Sequence, residues 1–271
     1  MPARKSQGWL DKNWPFKYKS VGLNGDTGFI KIFAMITMLI DHVGAALFPE
    51  HAILRIIGRI AFPVYAYCIA AGCVYTKDMG RYLQRIVLLA LISQPIYVLA
   101  LNHTNTIMFS VPFAENPLLS VYRFYVYSWR DPSILLTLAI GIAAIWSFRE
   151  RKLWITLLLF ILTFTFERYI DYGVRGVFLM LLLYAFINTW YISLPLVAAF
   201  MIYWGLDGSR YSLFGVSFGI QMFAVMALPL IYIPMRTNFK PNKWLFYCFY
   251  PAHLLLIYVI EKWDSIMAFL R

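Results

Sequence analysis

Charge is scarce in this sequence, and acidic charge is scarcest. Of 271 residues only 14% are charged, with 13 Asp and Glu against 24 Lys and Arg. A soluble globular domain carries about 25% charged residues, so the chain lacks the polar surface needed to face water on every side. Cysteine is sparse too. Cys68, Cys73 and Cys248 each sit inside an apolar run without paired spacing. They read as buried thiols, which excludes a disulfide framework and a zinc site; no metal is expected. The sequence has no glycine-rich phosphate loop, no internal repeat and no low-complexity segment. Residues 1–28 carry Arg4, Lys5, Lys12, Lys17 and Lys19 but no apolar run. They therefore read as a cytoplasmic amphipathic leader rather than a cleavable signal, with Trp9, Trp14 and Phe16 docking it at the inner leaflet.

What is present is apolar: 61% of the residues are hydrophobic and 18% aromatic. A helix that spans a bilayer needs about 20 mostly apolar residues. Nine segments qualify or nearly do, at about 29–48, 52–75, 82–101, 133–148, 153–168, 173–190, 192–205, 213–233 and 244–261. The expected fold is all-α, a polytopic membrane helix bundle of about nine transmembrane helices in one domain over residues 29–261. Residues 262–271 form a short tail.

Basic residues set the expected orientation. With nine spans and a cytoplasmic N-terminus, 15 of the 24 Lys and Arg fall on the inner side, as the positive-inside rule requires. The net charge of +11 then reflects topology, and nucleic acid is not an expected partner. The expected location is the plasma membrane. A homo-oligomer is compatible with the sequence. The longest connection, about 102–132, lies outside and holds Asn102, His103, Asn105, Pro112, Glu115, Asn116 and Pro117. The aromatic run from Tyr122 to Trp129 that follows reads as an interfacial belt or as a platform for an acceptor, with the belt favoured.

Charges inside a membrane are expensive and point to function. Asp41-His42 lies in the first span and His253 in the last. Counted from Lys31 and Lys243, both imidazoles fall roughly 15–16 Å into a core about 30 Å thick, so two helices can bring them face to face. Arg55 and Arg59, four residues apart, share a helix face, and Arg59 reaches the level of Asp41. Asp41 and His42 point about 100° apart on their helix, so Asp41 is expected to pair with Arg59 or with His253. Glu167-Arg168, Asp171 and Arg175 add polar groups in the outer half. A histidine takes and returns protons near neutral pH, and an arginine can steady a developing oxyanion. The catalytic candidates are His42, Asp41, His253 and Arg59; Arg55, Glu167 and Tyr250 are substrate-binding candidates. The same residues read structurally as interhelical hydrogen bonds and a packing lock. The inner basic sets Lys77, Arg81 and Arg85, Arg149, Arg151 and Lys152, and Arg236, Lys240 and Lys243 could grip donor phosphates, with Lys77, Arg81, Arg85 and Lys243 the chosen candidates, although topology alone also accounts for such basic loops.

The segment Lys31-Ile32-Phe33-Ala34-Met35-Ile36-Thr37-Met38-Leu39-Ile40-Asp41-His42-Val43-Gly44 resembles the opening of the TraX family. So do Leu54-Arg55-Ile56-Ile57-Gly58-Arg59-Ile60-Ala61-Phe62-Pro63, then Ala71-Gly72, and Arg81-Tyr82-Leu83-Gln84-Arg85. Asp171-Tyr172-Gly173 with Gly176 is similar to the family's central part, and Lys243 to Leu254 to its closing helix. The resemblance implies a membrane acetyltransferase, since the founding activity is N-acetylation of the N-terminus of conjugative pilin. The family also resembles transmembrane acyltransferases such as heparan-alpha-glucosaminide N-acetyltransferase. These take acetyl-coenzyme A from the cytoplasm and serve an acceptor on the far side. Carried over, His42 would be the catalytic histidine, supported by Asp41 and Arg59. The implied partners are the lipid bilayer, acetyl-coenzyme A and an extracytoplasmic protein or glycan acceptor. A transporter or permease, with the midplane polar residues as its substrate site, is the rival reading. A non-catalytic assembly factor is a third.

Overall fold

The computed structural model describes residues 14–101, 116–237 and 239–263. Trp9, the loop residues from Asn102 to Glu115 and the tail from 264 lie outside the described residues, as does the side chain of Lys243. The described chain is mostly helical. Its helices are α1 (Thr27–Ala46), α2 (Ala52–Gly58), α3 (Ala61–Tyr75), α4 (Met79–Leu101), α5 (Pro117–Ser128), α6 (Ile134–Arg149), α7 (Leu153–Thr165), α8 (Gly173–Ala185), α9 (Trp190–Leu206), α10 (Leu228–Tyr232) and α11 (Lys243–Glu261). Four stretches are long and apolar enough to cross a membrane: α1, the α2–α3 pair, α4 and α11. Five shorter apolar helical segments, 10–17 residues each, match the remaining expected spans. Length and composition thus support crossing for four of the nine.

α3 is the axis of the bundle. It is buried on nearly every side, and α1, α6 and α8 pack around it. Its run of Ala66, Cys68, Ala70, Ala71 and Cys73 is small enough to let those neighbours approach. The chain breaks between α2 and α3 because Pro63 has no N–H for the Arg59 carbonyl and its ring crowds that carbonyl. The break leaves Arg59 at a turn rather than inside a helix.

Three expectations need correction. The eighth segment does not begin as helix. Tyr211–Leu213 and Val216–Phe218 form an antiparallel hairpin, β1 and β2, so the described chain is not wholly α. Phe214 and Gly215 at its tip have φ of 50° and 81°, the double left-handed pattern of a type I′ turn. Only from Ile220 does a 3-10 helix run on into α10. Second, the connection before 133 is not loop throughout. Asn116 caps α5 by accepting from the Leu119 N–H at 3.1 Å. Buried Gln94 anchors the helix end, donating to the Ser128 and Asp131 carbonyls at 2.5 and 2.9 Å and accepting from Ser133 N–H at 2.9 Å. Third, Cys248 is exposed; it lies on the outward face of α11, opposite Tyr250 and His253.

The described part of the leader packs on the bundle. Trp14 and Phe16 lie against Phe148, with ring centroids 5.4 and 5.0 Å away. Tyr184 donates to the Phe16 carbonyl at 3.0 Å, and Tyr67 to the Asn24 carbonyl at 2.6 Å. Asn24, fully buried, donates to the Leu230 carbonyl at 2.9 Å. Residues 14–24 are thereby strapped across one end of the bundle.

Candidate active site

α1 carries Asp41 and His42, and α2 crosses it closely enough to bring Arg55 and Arg59 onto the carboxylate. Two glycines allow that crossing. A Cβ built on Gly58 would overlap the Asp41 side chain, and one on Gly44 would lie 2.5 Å from the Leu54 Cβ. Asp41 then accepts from Arg55 Nη1 at 2.7 Å and from Arg59 Nη2 at 2.6 Å. Arg59 also donates to the Arg55 carbonyl and to the Tyr172 hydroxyl, each at 3.2 Å. Three of its five N–H donors are engaged by these contacts. Two guanidinium groups on one carboxylate leave a positive excess here.

Tyr172 is set by stacking. Its ring lies on Phe62 with centroids 4.1 Å apart and meets Trp204 edge-on at 5.7 Å. Residues 172 and 173 both have positive φ, so the chain reverses into α8 with the Tyr172 hydroxyl turned to Arg59. Beside it, Asp171 opens into the cavity described below. Burial raises its carboxyl to about 6, against the pull of Arg59.

The two histidines meet. His253 Nδ1 lies 2.7 Å from the Phe249 carbonyl, one turn back on α11. A carbonyl only accepts, so this nitrogen carries the proton. In the neutral ring Nε2 is then the acceptor, and it lies 2.8 Å from His42 Nδ1. His42 therefore donates from Nδ1, and its Nε2 keeps a free lone pair. A histidine so oriented is a ready general base. Asp41 makes no part of this chain, because both of its oxygens face arginines.

A cavity of about 1040 Å³ runs through the bundle beside these groups. His42, Asp41, Arg55, Arg59 and Tyr250 line it, while His253 stands behind His42. One end is bounded by Asp171, Tyr172 and Tyr97, the other by Lys31, Arg236 and Lys240. Tyr97 and Lys31 were not among the expected site residues; Asp171 was expected as a polar group of the outer half, and Arg236 and Lys240 as members of an inner basic set. Asp171 had a signal in its position beside Tyr172-Gly173; Tyr97 has none in the sequence.

Other expected residues lie elsewhere. Glu167 is not on the cavity wall. It packs beneath the start of α8, where a Cβ on Gly173 would come within 2.7 Å of its Cγ. Arg168 is exposed, and Arg175 pairs with Asp207 at 2.5 Å. Lys77, Arg81 and Arg85 are exposed and off the cavity, and Arg81 pairs with Asp78 at 3.0 Å. The reason is helical phase. Tyr82, Ile86 and Leu89 of α4 line the cavity, and a residue one step along the helix points about 100° away.

Comparison with known proteins fits this geometry into a family. A relative in Rickettsia prowazekii, an uncharacterized protein, is 38% identical over 105 residues, covering 38% of this chain and 37% of that protein. A probable fimbrial assembly protein, FimC of serogroup H1 from Dichelobacter nodosus, is 24% identical over 256 residues, covering 84% of this chain and 92% of that one. No solved structure matches. The family profile described as TraX protein matches residues 26–261, a range that includes Asp41, His42, Arg55, Arg59 and His253. The chain belongs to the TraX family.

Proposed function

We propose that this protein is a membrane-embedded acetyltransferase that moves an acetyl group from acetyl-coenzyme A to an amine or hydroxyl acceptor. The observation that carries the reading is the place of His42 on the wall of a large cavity, held by a hydrogen-bonded chain through His253 to a backbone carbonyl, an arrangement that leaves Nε2 of the neutral ring as the acceptor. His42 Nε2 takes the proton as the acceptor nitrogen or oxygen attacks the acetyl carbonyl. The oxyanion that forms is stabilised by the remaining N–H donors of Arg59 and Arg55. The carbon–sulfur bond then breaks, and the departing thiolate takes the proton back from His42. Asp41 holds both guanidinium groups in place.

We read the nine apolar segments as nine spans in the cell membrane, with the leader in the cytoplasm. The donor then enters at the end bounded by Lys31, Arg236 and Lys240, and the acceptor at the end bounded by Asp171. The name of the Dichelobacter relative makes a fimbrial or pilin subunit the first acceptor to try, ahead of a surface glycan.

The test mixes purified protein in lipid nanodiscs with radiolabelled acetyl-coenzyme A and a pilin-like peptide or an oligosaccharide. Wild type is expected to label an acceptor. His42→Ala is expected to lose about 10²-fold or more, the usual worth of a general base, while eluting as a folded monodisperse species. Full transfer by the variant would remove His42 from the mechanism.

A further inference from the structure

The basic end of the cavity is built differently from the other basic loops. Lys31 stands one turn into α1, with its Nζ 5.5 Å from the centre of the Phe246 ring in the first turn of α11. Arg236 and Lys240 lie in the segment between α10 and α11, which is held against the start of α1. Asp26 fixes that contact, accepting from the Thr237 N–H at 2.6 Å and its hydroxyl at 2.5 Å. A Cβ on Gly28 would overlap the Phe239 carbonyl and touch Pro241 at 3.0 Å. Three cations therefore edge one opening. None makes an ion pair with a carboxylate among the described residues, although Asp26 also lines this end. α1 and α11, of 20 and 19 residues, both begin here. Their N-termini add positive potential, with Asp26 and Asn242 capping the Phe29 and Trp244 N–H groups.

Four other basic residues near this end are otherwise engaged or turned away. Arg149 donates to the Cys73 and Thr76 carbonyls at 2.8 and 3.2 Å. Lys77, Arg81 and Arg85 are exposed and off the cavity wall. Topology explains a basic loop anywhere on one face, but it does not explain unpaired cations gathered at the opening of a cavity.

We propose that Lys31, Arg236 and Lys240 form a phosphate-binding mouth that holds the nucleotide end of the acyl donor outside the bundle while its thioester arm extends inward to His42. This rests on the acetyltransferase reading for the donor's identity, yet binding is measured without transfer. Lys31 to His42 is eleven residues of helix, roughly 16 Å, so the arm must thread the cavity past Cys68 and Tyr65, which line it.

The experiment measures binding of coenzyme A, adenosine 3′,5′-bisphosphate and adenosine to the full chain in phosphatidylcholine nanodiscs by calorimetry. Coenzyme A and the bisphosphate are expected to bind, weakening as salt rises, and adenosine is not. A charge-assisted hydrogen bond is worth enough for roughly a tenfold change. Arg236→Gln and Lys240→Gln are each expected to weaken both phosphate ligands about tenfold, while Arg81→Gln and Arg85→Gln leave them unchanged. Both pairs of positions are exposed, so folding is not at issue. Equal binding by Arg236→Gln and Lys240→Gln, or equal loss at Arg81, overturns the proposal. A parallel arm adds phosphatidylglycerol. Stabilisation of wild type by that lipid alone, with no response to the bisphosphate, would assign the mouth to a headgroup and also overturn it. His42→Ala is expected to bind coenzyme A normally. Phosphate binding with no transfer to any acceptor would sink the catalytic reading and leave the mouth standing; transfer with unchanged binding in the Gln variants would do the reverse.

Discussion

At the scale of single residues, the site turns on which nitrogen carries a proton. Phe249 settles it, because its carbonyl can only accept and so fixes His253 with hydrogen on Nδ1. That choice passes to His42 through one contact of 2.8 Å. Under the proposed mechanism His253 is a positioning residue, off the cavity wall and acting through its neighbour. His253→Ala is expected to lower kcat about tenfold or more, the loss of one hydrogen bond that sets the base. The KM for acetyl-coenzyme A should not change. His253→Gln offers an amide oxygen to His42 Nδ1 and should recover part of the loss. An Ala variant with unaltered kcat, or one that changes only KM, would show that His42 needs no partner. That the two histidines could meet was legible in the sequence, since each charge or imidazole within an apolar run demands a reason, and their facing nitrogens lie 2.8 Å apart. Their tautomers were not, because a backbone carbonyl leaves no mark on side-chain pattern.

At the scale of elements, the crossing of α1 over α2 decides where Asp41 goes. The sequence offered Arg59 or His253 as its partner; the structure gives it Arg59 and Arg55 together. What pattern alone could not supply was the close approach at Gly58, which brings the carboxylate between two guanidinium groups. Gly58→Ala should force the helices apart at a cost of about 1–3 kcal/mol, typical of overpacking. Asp41 would shift away from Arg59. The expected result is a lower Tm and a loss of transfer larger than the remaining folded fraction explains. Unchanged Tm and transfer in Gly58→Ala would mean that the contact relaxes freely. The expectation that Lys77, Arg81 and Arg85 grip the donor is set aside for a related reason. Basic residues cluster near helix ends for topology, so their clustering says little; their phase relative to Tyr82, Ile86 and Leu89 is what excludes Arg81 and Arg85. Two local signals in the sequence mark the departures from the expected helices and loop. Asn116-Pro117 is a helix start, and Phe214-Gly215 sits within Tyr211-Ser212-Leu213 and Val216-Ser217-Phe218, a turn between alternating segments.

At the scale of the whole molecule, the number of crossings fixes which chemistry faces which compartment. Among the described residues four helical stretches reach crossing length, yet five shorter apolar segments pack around or beside them, and α3 is buried inside the bundle. Short helices around a buried axis are compatible with a locally thinned bilayer. Parity separates the readings: nine crossings place residue 27 and the end of α11 on opposite faces, whereas four, eight or ten place them on the same face. Alkaline phosphatase needs the disulfides formed in an oxidising periplasm. Fused after residue 263 in a bacterial host it should therefore be active, and fused before residue 14 it should be inactive. Activity at both ends, or at neither, would make the count even. The basic mouth and the Asp171 end would then need reassignment relative to the cytoplasm, and a soluble donor could no longer be matched to Lys31, Arg236 and Lys240 on topology.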